Sequence, residues 1–185
     1  MAVVRVLGIV GSLRRESYNR RLIEAARELA PNGITLEVCD IADVPLYNDD
    51  VYKQGFPAAV VQLRQRIKQT DALLIATPEY NYSIPGVLKN AIDWASRPPE
   101  QPFTDKPLAI IGASPGALGT ARAQYHLRQA FIFLDARVLS RPELMVAQAG
   151  SKLDAQGRLT DEATRRQLTE LLLALGAWTQ RLKTG

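Results

Sequence analysis

The sequence predicts an α/β domain in which helices cover both faces of a mainly parallel sheet. Three observations support this class. Apolar runs alternate with helical patterns along the chain, most of the runs are continuously apolar, and small polar or Gly- and Pro-rich loops follow several of them. Continuous apolar strands are typical of sheets buried on both faces. We predict five strands and five helices, and we expect residues 1–185 to form a single domain.

The first strand, Val3–Val10, is an apolar run near the start of the chain. A helix follows it, with Ser17 or Asn19 near its N-cap. Its apolar positions recur every three or four residues, at Leu22, Ile23, Ala26, Leu29 and Ala30. The second strand, Ile34–Val38, alternates in polarity as a half-buried edge strand does, and Cys39 at its end is expected to be half-buried.

The middle of the chain continues the alternation. Residues 43–55 are polar and are predicted to be irregular, and a second helix then carries its apolar face on Val60, Leu63 and Ile67. The third strand is the buried run Ala72–Ala76. A third helix, Gly86–Ala95, starts just after a proline, which favours a helix start there.

The last third supplies the remaining elements. The fourth strand is predicted at Leu108–Gly112 and the short fifth strand at Arg137–Leu139. The apolar face of the helix between them comprises Leu127, Ala130, Phe131 and Leu134. Residues 154–157 are typical of a turn, and residues 160–162 are predicted to cap a final, leucine-rich helix.

Composition excludes several classes of protein. The net charge is +4, and the arginines are scattered among acidic residues without a basic and aromatic strip, so we expect no nucleic-acid partner. The single cysteine, Cys39, excludes a disulfide framework and a multi-cysteine metal site. His126 is the only histidine, which argues against a Ser/His/Asp triad and a histidine metal cluster. We therefore predict no bound metal.

Localisation is predicted from two missing signals. No apolar stretch approaches the roughly 18–20 residues that cross a bilayer, so we expect no membrane partner. The first residues lack the basic, apolar and small-residue succession of a signal peptide. We therefore expect a cytoplasmic protein.

Three loops are predicted to meet at one edge of the sheet. They follow strands one, three and four and comprise residues 11–19, 77–86 and 113–119. In the strand order 2-1-3-4-5 these three strands are neighbours, and ligands of such sheets bind beyond the carboxyl ends of strands where the order reverses. The three loops are therefore the predicted ligand site.

The first loop has the composition of a phosphate site. Ser12, Ser17 and Asn19 are neutral donors, and Arg14 and Arg15 are cations. The loop lacks both the Gly-x-Gly-x-x-Gly pattern of dinucleotide folds and the Gly-Lys-Ser/Thr of nucleoside triphosphatases. It suits one terminal phosphate at a helix N-terminus. The alternative is that Ser17 and Asn19 only cap the helix.

The other two loops favour a planar ligand. A heterocycle could pack on Pro78 and Tyr80, with its polar edge facing backbone groups and Asn81. Glu79 is either an acid or base, or more simply a residue that caps or pairs with a neighbour. In the third loop, Gly116 permits close approach of the backbone because it lacks a side chain.

The loop motifs resemble those of a known family. Strand one is followed by Gly-Ser-Leu-Arg-x-x-Ser-x-Asn, and strand three by Pro-Glu-Tyr-Asn-x-Ser-Ile-Pro-Gly-x-Leu-Lys-Asn-Ala-Ile-Asp-Trp. Both resemble the NADPH-dependent FMN reductase family, which includes bacterial quinone and chromate reductases. The resemblance covers nearly the whole chain and implies a flavodoxin-like, doubly wound sheet.

The resemblance also implies a site and a cofactor. FMN would bind non-covalently, with its phosphate on Ser12, Arg14, Ser17 and Asn19 and on the backbone of Leu13, Tyr18 and Arg20. Its ring and ribityl chain would rest against Pro78, Glu79, Tyr80, Asn81 and Tyr82, with Ser114 and Gly116 on the other side. Trp94 would either fill the core or wall the flavin pocket. No side chain is expected to be catalytic, because the flavin carries the hydride chemistry.

We therefore predict an enzyme that passes a hydride from NAD(P)H through FMN to a quinone in a ping-pong reaction. Chromate, azo compounds and free flavin are further candidate acceptors. The resemblance implies a homodimer or homotetramer. The alternative is a non-enzymatic, flavodoxin-like electron carrier, against which the positive net charge argues. A phosphate-binding hydrolase is disfavoured by the missing nucleophile and metal ligands.

Overall fold

The computed structural model describes residues 3–184, so the two N-terminal residues and residue 185 of the predicted domain lie outside the described part. Its strands form one parallel sheet and are β1 (Val4–Val10), β2 (Ile34–Cys39), β3 (Ala72–Ala76), β4 (Pro107–Ala113), β5 (Arg137–Val138) and β6 (Leu144–Val146). Its α-helices are α1 (Tyr18–Glu28), α2 (Asp49–Tyr52), α3 (Ala58–Gln69), α4 (Gly86–Ala95), α5 (Ala121–Phe133) and α6 (Glu162–Thr184). A 3₁₀ turn, Ala149–Lys152, precedes α6.

The strand order is β2-β1-β3-β4-β5, which confirms the predicted 2-1-3-4-5 arrangement. A sixth strand was not predicted. The register explains it: β5 pairs only with Pro107 and Leu108 at the start of β4, and β6 pairs with the end of β4 from Ile111 to Ala113. Two short strands thus share one neighbour. A three-residue strand is too short for its polarity pattern to reveal it.

Two local predictions need correction. Residues 43–55 are not wholly irregular, because α2 forms one helical turn in which the Asp50 amide donates to the Asn48 side chain. Cys39 belongs to β2 and is fully buried, whereas the sequence predicted a half-buried residue. Burial raises the pKa of its thiol.

The sheet separates two apolar cores. Helices α1 and α6 cover one face, where Leu22 and Leu172 pack among the side chains of β1, β3 and β4. Helices α3, α4 and α5 cover the other, where Leu63 and Phe131 pack. Since both faces are buried, the continuous apolar runs of β3 and β4 follow directly from this layering.

Trp94 is buried where α4 packs against the segment after β2. It is fully buried, and its indole Nε1 donates to the carbonyl of Pro45 at 2.9 Å. The Tyr47 ring meets it edge-on with centroids 4.8 Å apart. Trp94 therefore anchors the segment after β2 onto α4, and it does not line the cavity described below.

Gly112 lets the ends of two strands lie close together. A Cβ on this residue would stand 2.5 Å from the carbonyl oxygen of Thr77 and 1.8 Å from Oγ1 of Thr120. Such distances are far below van der Waals contact, so the loops after β3 and β4 can approach only because this position has no side chain.

We expect Gly112→Ala to lower the free energy of unfolding by about 1–3 kcal/mol through overpacking. Urea titration of the purified apoprotein measures this change. Gly86→Ala is the matched control, because no atom lies within 4 Å of the Cβ it adds; it should change stability by less than about 0.5 kcal/mol. Equal stability of the two variants would contradict the close approach.

Asp161 caps the last helix and should make stability depend on pH. Its carboxylate accepts from the Thr164 amide at 2.9 Å and from Lys152 Nζ at 3.1 Å. The hydrogen bonds from Thr164 lower the pKa of Asp161 from 3.8 to about 2. A lowered pKa in the folded state adds stability above pH 3.8 that is lost as pH falls through about 2.

Asp161→Ala should therefore lower Tm by a few degrees at pH 7, and this deficit should shrink as pH approaches 2. Thermal unfolding followed by circular dichroism across this range provides the measurement. Asp161→Asn keeps an acceptor for the Thr164 amide and should retain most of the cap without the pH dependence. A difference in Tm that stays constant with pH would contradict this interpretation.

Candidate functional site

The three predicted loops meet in a cavity of about 260 Å³ at the carboxyl edge of the sheet. It opens next to β1 and β3, where the strand order reverses. Its lining residues come from all three loops and are Ser12, Arg14, Ser17, Tyr18, Asn19, Pro78, Glu79, Tyr80, Ala113, Ser114 and Pro115. The topology thus brings together residues as distant in the chain as Ser12 and Pro115.

The first loop presents backbone donors to this cavity. Ser17 is the N-cap of α1, and its Oγ accepts from the Asn19 amide at 3.2 Å. The amides of Ser12, Leu13, Tyr18 and Arg20 donate to no acceptor within residues 3–184. Free amides at a helix N-terminus form a site for an anion, and the positive end of the helix dipole strengthens it.

Two arginines near this loop, Arg14 and Arg20, differ in whether their side chains can reach the cavity. The Arg14 guanidinium lies at the cavity and donates through Nη2 to the carbonyl of Glu16 at 2.7 Å, which leaves its other N–H groups available. Arg20 points elsewhere, because its guanidinium pairs with Asp40. Arg20 can therefore contribute to the cavity only through its amide.

The Asn19 side chain joins two parts of the fold. Its Nδ2 donates to the carbonyl of Ala113, and its Oδ1 accepts from the Ala113 amide, both at 2.9 Å. The residue is buried. Asn19 thus lines the cavity and also ties the start of α1 to the end of β4. The sequence allowed either Ser17 or Asn19 as the N-cap of α1, and the structure shows that it is Ser17.

The second loop contains a two-residue turn. Tyr80 and Ser83 exchange backbone hydrogen bonds of 3.2 and 3.0 Å, and the two residues between them, Asn81 and Tyr82, have φ angles of +49° and +67°. Their amides donate to no acceptor in the described residues. The exposed Tyr80 ring offers a planar surface in the cavity lining together with Pro78, whereas the Arg122 guanidinium lies over the Tyr82 ring.

Glu79 caps helix α5, which confirms its interpretation as a capping or pairing residue. Its Oε2 accepts from the amides of Arg122 and Ala123 at 3.0 and 3.1 Å, and its Oε1 pairs with Arg122 Nη1 at 3.1 Å. The carboxylate is therefore fully engaged by neighbours. Arg122 was missed in the sequence because its partner lies 43 residues away.

The third loop closes the other side of the cavity. The Ser114 amide donates to Val146 of β6 at 3.0 Å, so the unpredicted strand holds this loop in place. Ala113 and Pro115 line the cavity and were not among the predicted site residues, although they belong to the same Gly- and Pro-rich loop. Five predicted residues lie near but outside the lining: Leu13, Arg20, Asn81, Tyr82 and Gly116.

Two further features of residues 3–184 bear on the chemistry. No group of three His, Cys, Asp or Glu side chains in this part of the chain is arranged to hold a metal ion. None of its helices has the length and apolar character needed to cross a bilayer. Donor groups and rings, rather than paired acids or metal ligands, therefore define the cavity.

The donor set fits a phosphate ester that carries a planar ring. Free amides, the buried Ser12 hydroxyl and the Arg14 guanidinium suit a phosphate at one end. Pro78, Tyr80 and the free amides of the adjacent turn suit the face and polar edge of a heterocycle at the other. FMN has both parts.

Known proteins resemble this chain over nearly its full length. An NAD(P)H-dependent FMN reductase of Pseudomonas aeruginosa is 57% identical over 180 residues, which cover 97% of each chain. A quinone reductase of Escherichia coli K12 is 46% identical over 183 residues, again 97% of each chain. The solved structure of FerB, a flavoenzyme NAD(P)H:(acceptor) oxidoreductase from Paracoccus denitrificans, superposes with a TM-score of 0.87 at 39% identity and covers 97% of this chain and 98% of its own.

The family model for NADPH-dependent FMN reductases matches residues 4–151, which include all three cavity loops. This agreement confirms the resemblance carried by the loop motifs. The chain belongs to the NADPH-dependent FMN reductase family.

Proposed function

We propose that this protein is an FMN-dependent NAD(P)H oxidoreductase that reduces quinones. The observation that carries the proposal is the cavity itself, whose lining combines residues with unpaired amides and one arginine from the first loop with Pro78 and Tyr80 from the second. Family membership and the quinone reductase relatives support the same activity. Bound FMN supplies a ring that accepts a hydride and gives up two electrons.

The chain's own residues bind and orient the cofactor. The amides of Ser12, Leu13, Tyr18 and Arg20, together with Arg14, hold the phosphate as an anchor. Pro78 and the Tyr80–Ser83 turn support the ring. No side chain needs to transfer a proton at the reacting atoms, which agrees with the use of Glu79 as a helix cap.

Donor and acceptor are proposed to use one exposed face of the ring in turn, which makes the reaction ping-pong. The net reaction moves a hydride from NAD(P)H and a proton from water to a quinone, and it yields a hydroquinone and NAD(P)⁺. An open face also admits chromate, azo compounds or free flavin as acceptors. We propose a cytoplasmic homodimer or homotetramer in which the whole chain forms one FMN-binding domain.

The competing function is that of an electron carrier without enzymatic activity. Flavodoxin-like carriers need a charged docking face, and the net charge of +4 disfavours an acidic one here. Adding NADPH alone to the anaerobic, purified yellow protein separates the two functions. Bleaching supports the enzyme, and a stable yellow colour supports the carrier.

Arg14→Ala should weaken FMN binding roughly 10- to 150-fold, because a charge-assisted bond to phosphate is lost. Fluorescence titration of the apoprotein with FMN measures the dissociation constant. Arg27→Ala is the control, since Arg27 lies at the other end of α1 and pairs with Glu24. Unchanged FMN affinity in Arg14→Ala would show that this guanidinium does not hold the phosphate.

Initial rates measured at several NADPH and quinone concentrations should give parallel double-reciprocal lines. This pattern is expected because the oxidised nicotinamide must leave before the quinone can approach the same face. Lines that intersect across conditions would exclude the shared face and would require both substrates to bind together.

A further inference from the structure

A second cavity lies beside the first, at the phosphate end of the proposed FMN site. We propose that it binds the 2′-phosphate on the adenosine of NADPH, with Arg21 as the cation that distinguishes NADPH from NADH. The inference rests on the proposed function and deepens it, because it names the part of the electron donor that the second cavity recognises.

The position of the second cavity suits the far end of the donor. Its volume is about 360 Å³, and it shares Arg14 and Tyr18 with the first cavity. Its other lining includes Glu16, Arg21 and residues 153–157. NADPH is longer than FMN by an adenosine phosphate. A donor that stacks its nicotinamide on the flavin ring and runs along the ribityl chain therefore extends past the FMN phosphate and reaches this second cavity.

The lining of the second cavity has free hydrogen-bond donors. Arg21, in the first turn of α1, pairs through Nη2 with Glu16 Oε2 at 2.6 Å, and its Nε and Nη1 donate to no acceptor within residues 3–184. In the same part of the chain, the Ala155 amide and the Tyr18 hydroxyl form no hydrogen bond. A guanidinium with additional N–H and O–H donors suits a phosphate monoester.

Gly157 brings the segment after the 3₁₀ turn against the Arg21 guanidinium. Its φ is +77°, and a Cβ on this residue would stand 2.7 Å from Arg21 Nε and 3.0 Å from Cζ. The segment can approach so closely only because this position has no side chain. The guanidinium is thus confined before a ligand arrives, which reduces the entropy that binding would cost.

The two carboxylates of the lining do not exclude an anion. Asp154 already accepts from Arg158 Nε at 2.7 Å and from the amides of Gln156 and Arg158 at 2.9 Å. Glu16 has a side chain that is 78% exposed, and a single ion pair joins it to Arg21. Exposed ion pairs contribute little, so a phosphate can displace this carboxylate into water. Glu16 therefore marks the place where an anion contacts Arg21.

The test measures anaerobic, single-turnover reduction of the FMN-loaded protein at several concentrations of NADPH and of NADH. We expect Arg21→Met to weaken NADPH binding about tenfold relative to NADH binding, because a charge-assisted bond to the 2′-phosphate is lost. The limiting rate with NADPH should change less than about twofold, since the lost contact is uniform binding energy. Arg27→Met is the control, because Arg27 lies at the other end of α1 and pairs with Glu24; it should keep the wild-type donor preference.

A second variant should shift the preference in the opposite direction. Glu16→Gln removes the charge that competes for Arg21, and we expect it to bind NADPH about two- to fourfold more tightly relative to NADH. A variant that merely folds poorly cannot show such a gain. An unchanged donor preference in Arg21→Met, or a weaker preference for NADPH in Glu16→Gln, would overturn the inference.

Two inhibitors separate the phosphate from the rest of the adenosine. Adenosine 2′,5′-bisphosphate should inhibit reduction of the wild type by NADPH more strongly than AMP does, and this advantage should disappear in Arg21→Met. Equal inhibition of the wild type by the two compounds would overturn the inference and leave the proposed function intact. A wild-type protein whose flavin neither NADPH nor NADH reduces would overturn both.

Discussion

The paired hydrogen bonds between the Asn19 side chain and the backbone of Ala113 fix the distance between the first and third loops. Asn19 is in the first turn of α1, and Ala113 is the last residue of β4. Because both bonds are buried, breaking them would leave polar groups without partners in a dry environment, which is costly. This residue pair ties the first loop to the third, and the bond from the Ser114 amide to Val146 holds the third loop from its other side.

The second loop is held in place by hydrogen bonds between Glu79 and helix α5. Both carboxylate oxygens of Glu79 accept hydrogen bonds from the first turn of α5. Glu79 therefore caps this helix and lines the cavity at the same time. This use agrees with the proposed reaction, which requires no acid or base chemistry from Glu79. The protein supplies placement and donor groups, and the reactivity comes from the cofactor.

The elements with strong local patterns could be predicted from the sequence. The strands β1, β3 and β4 follow from continuous apolar runs and the helices between them from periodicity, and the predicted order 2-1-3-4-5 is that of a known doubly wound fold. Elements that depend on a neighbour were missed. The strand β6 exists because β5 leaves the end of β4 unpaired, and α2 is a single turn stabilised by its cap. The sequence also could not decide whether Trp94 is buried or lines the cavity, because an aromatic residue on an apolar helix face is compatible with both.

The sequence by itself determined the layered parallel sheet and the three loops at its carboxyl edge, and the serine and arginine content of residues 11–19 led to the prediction of a phosphate site there. Each of these could be predicted because hydrophobic periodicity, turn residues and helix start signals lie within short stretches of sequence. Only the tertiary structure decided that Glu79 is a cap, that Asn19 joins two loops and that Arg122 covers Tyr82. These roles rest on contacts between residues 40 to 94 positions apart, whose geometry arises when the sheet brings the strand ends together.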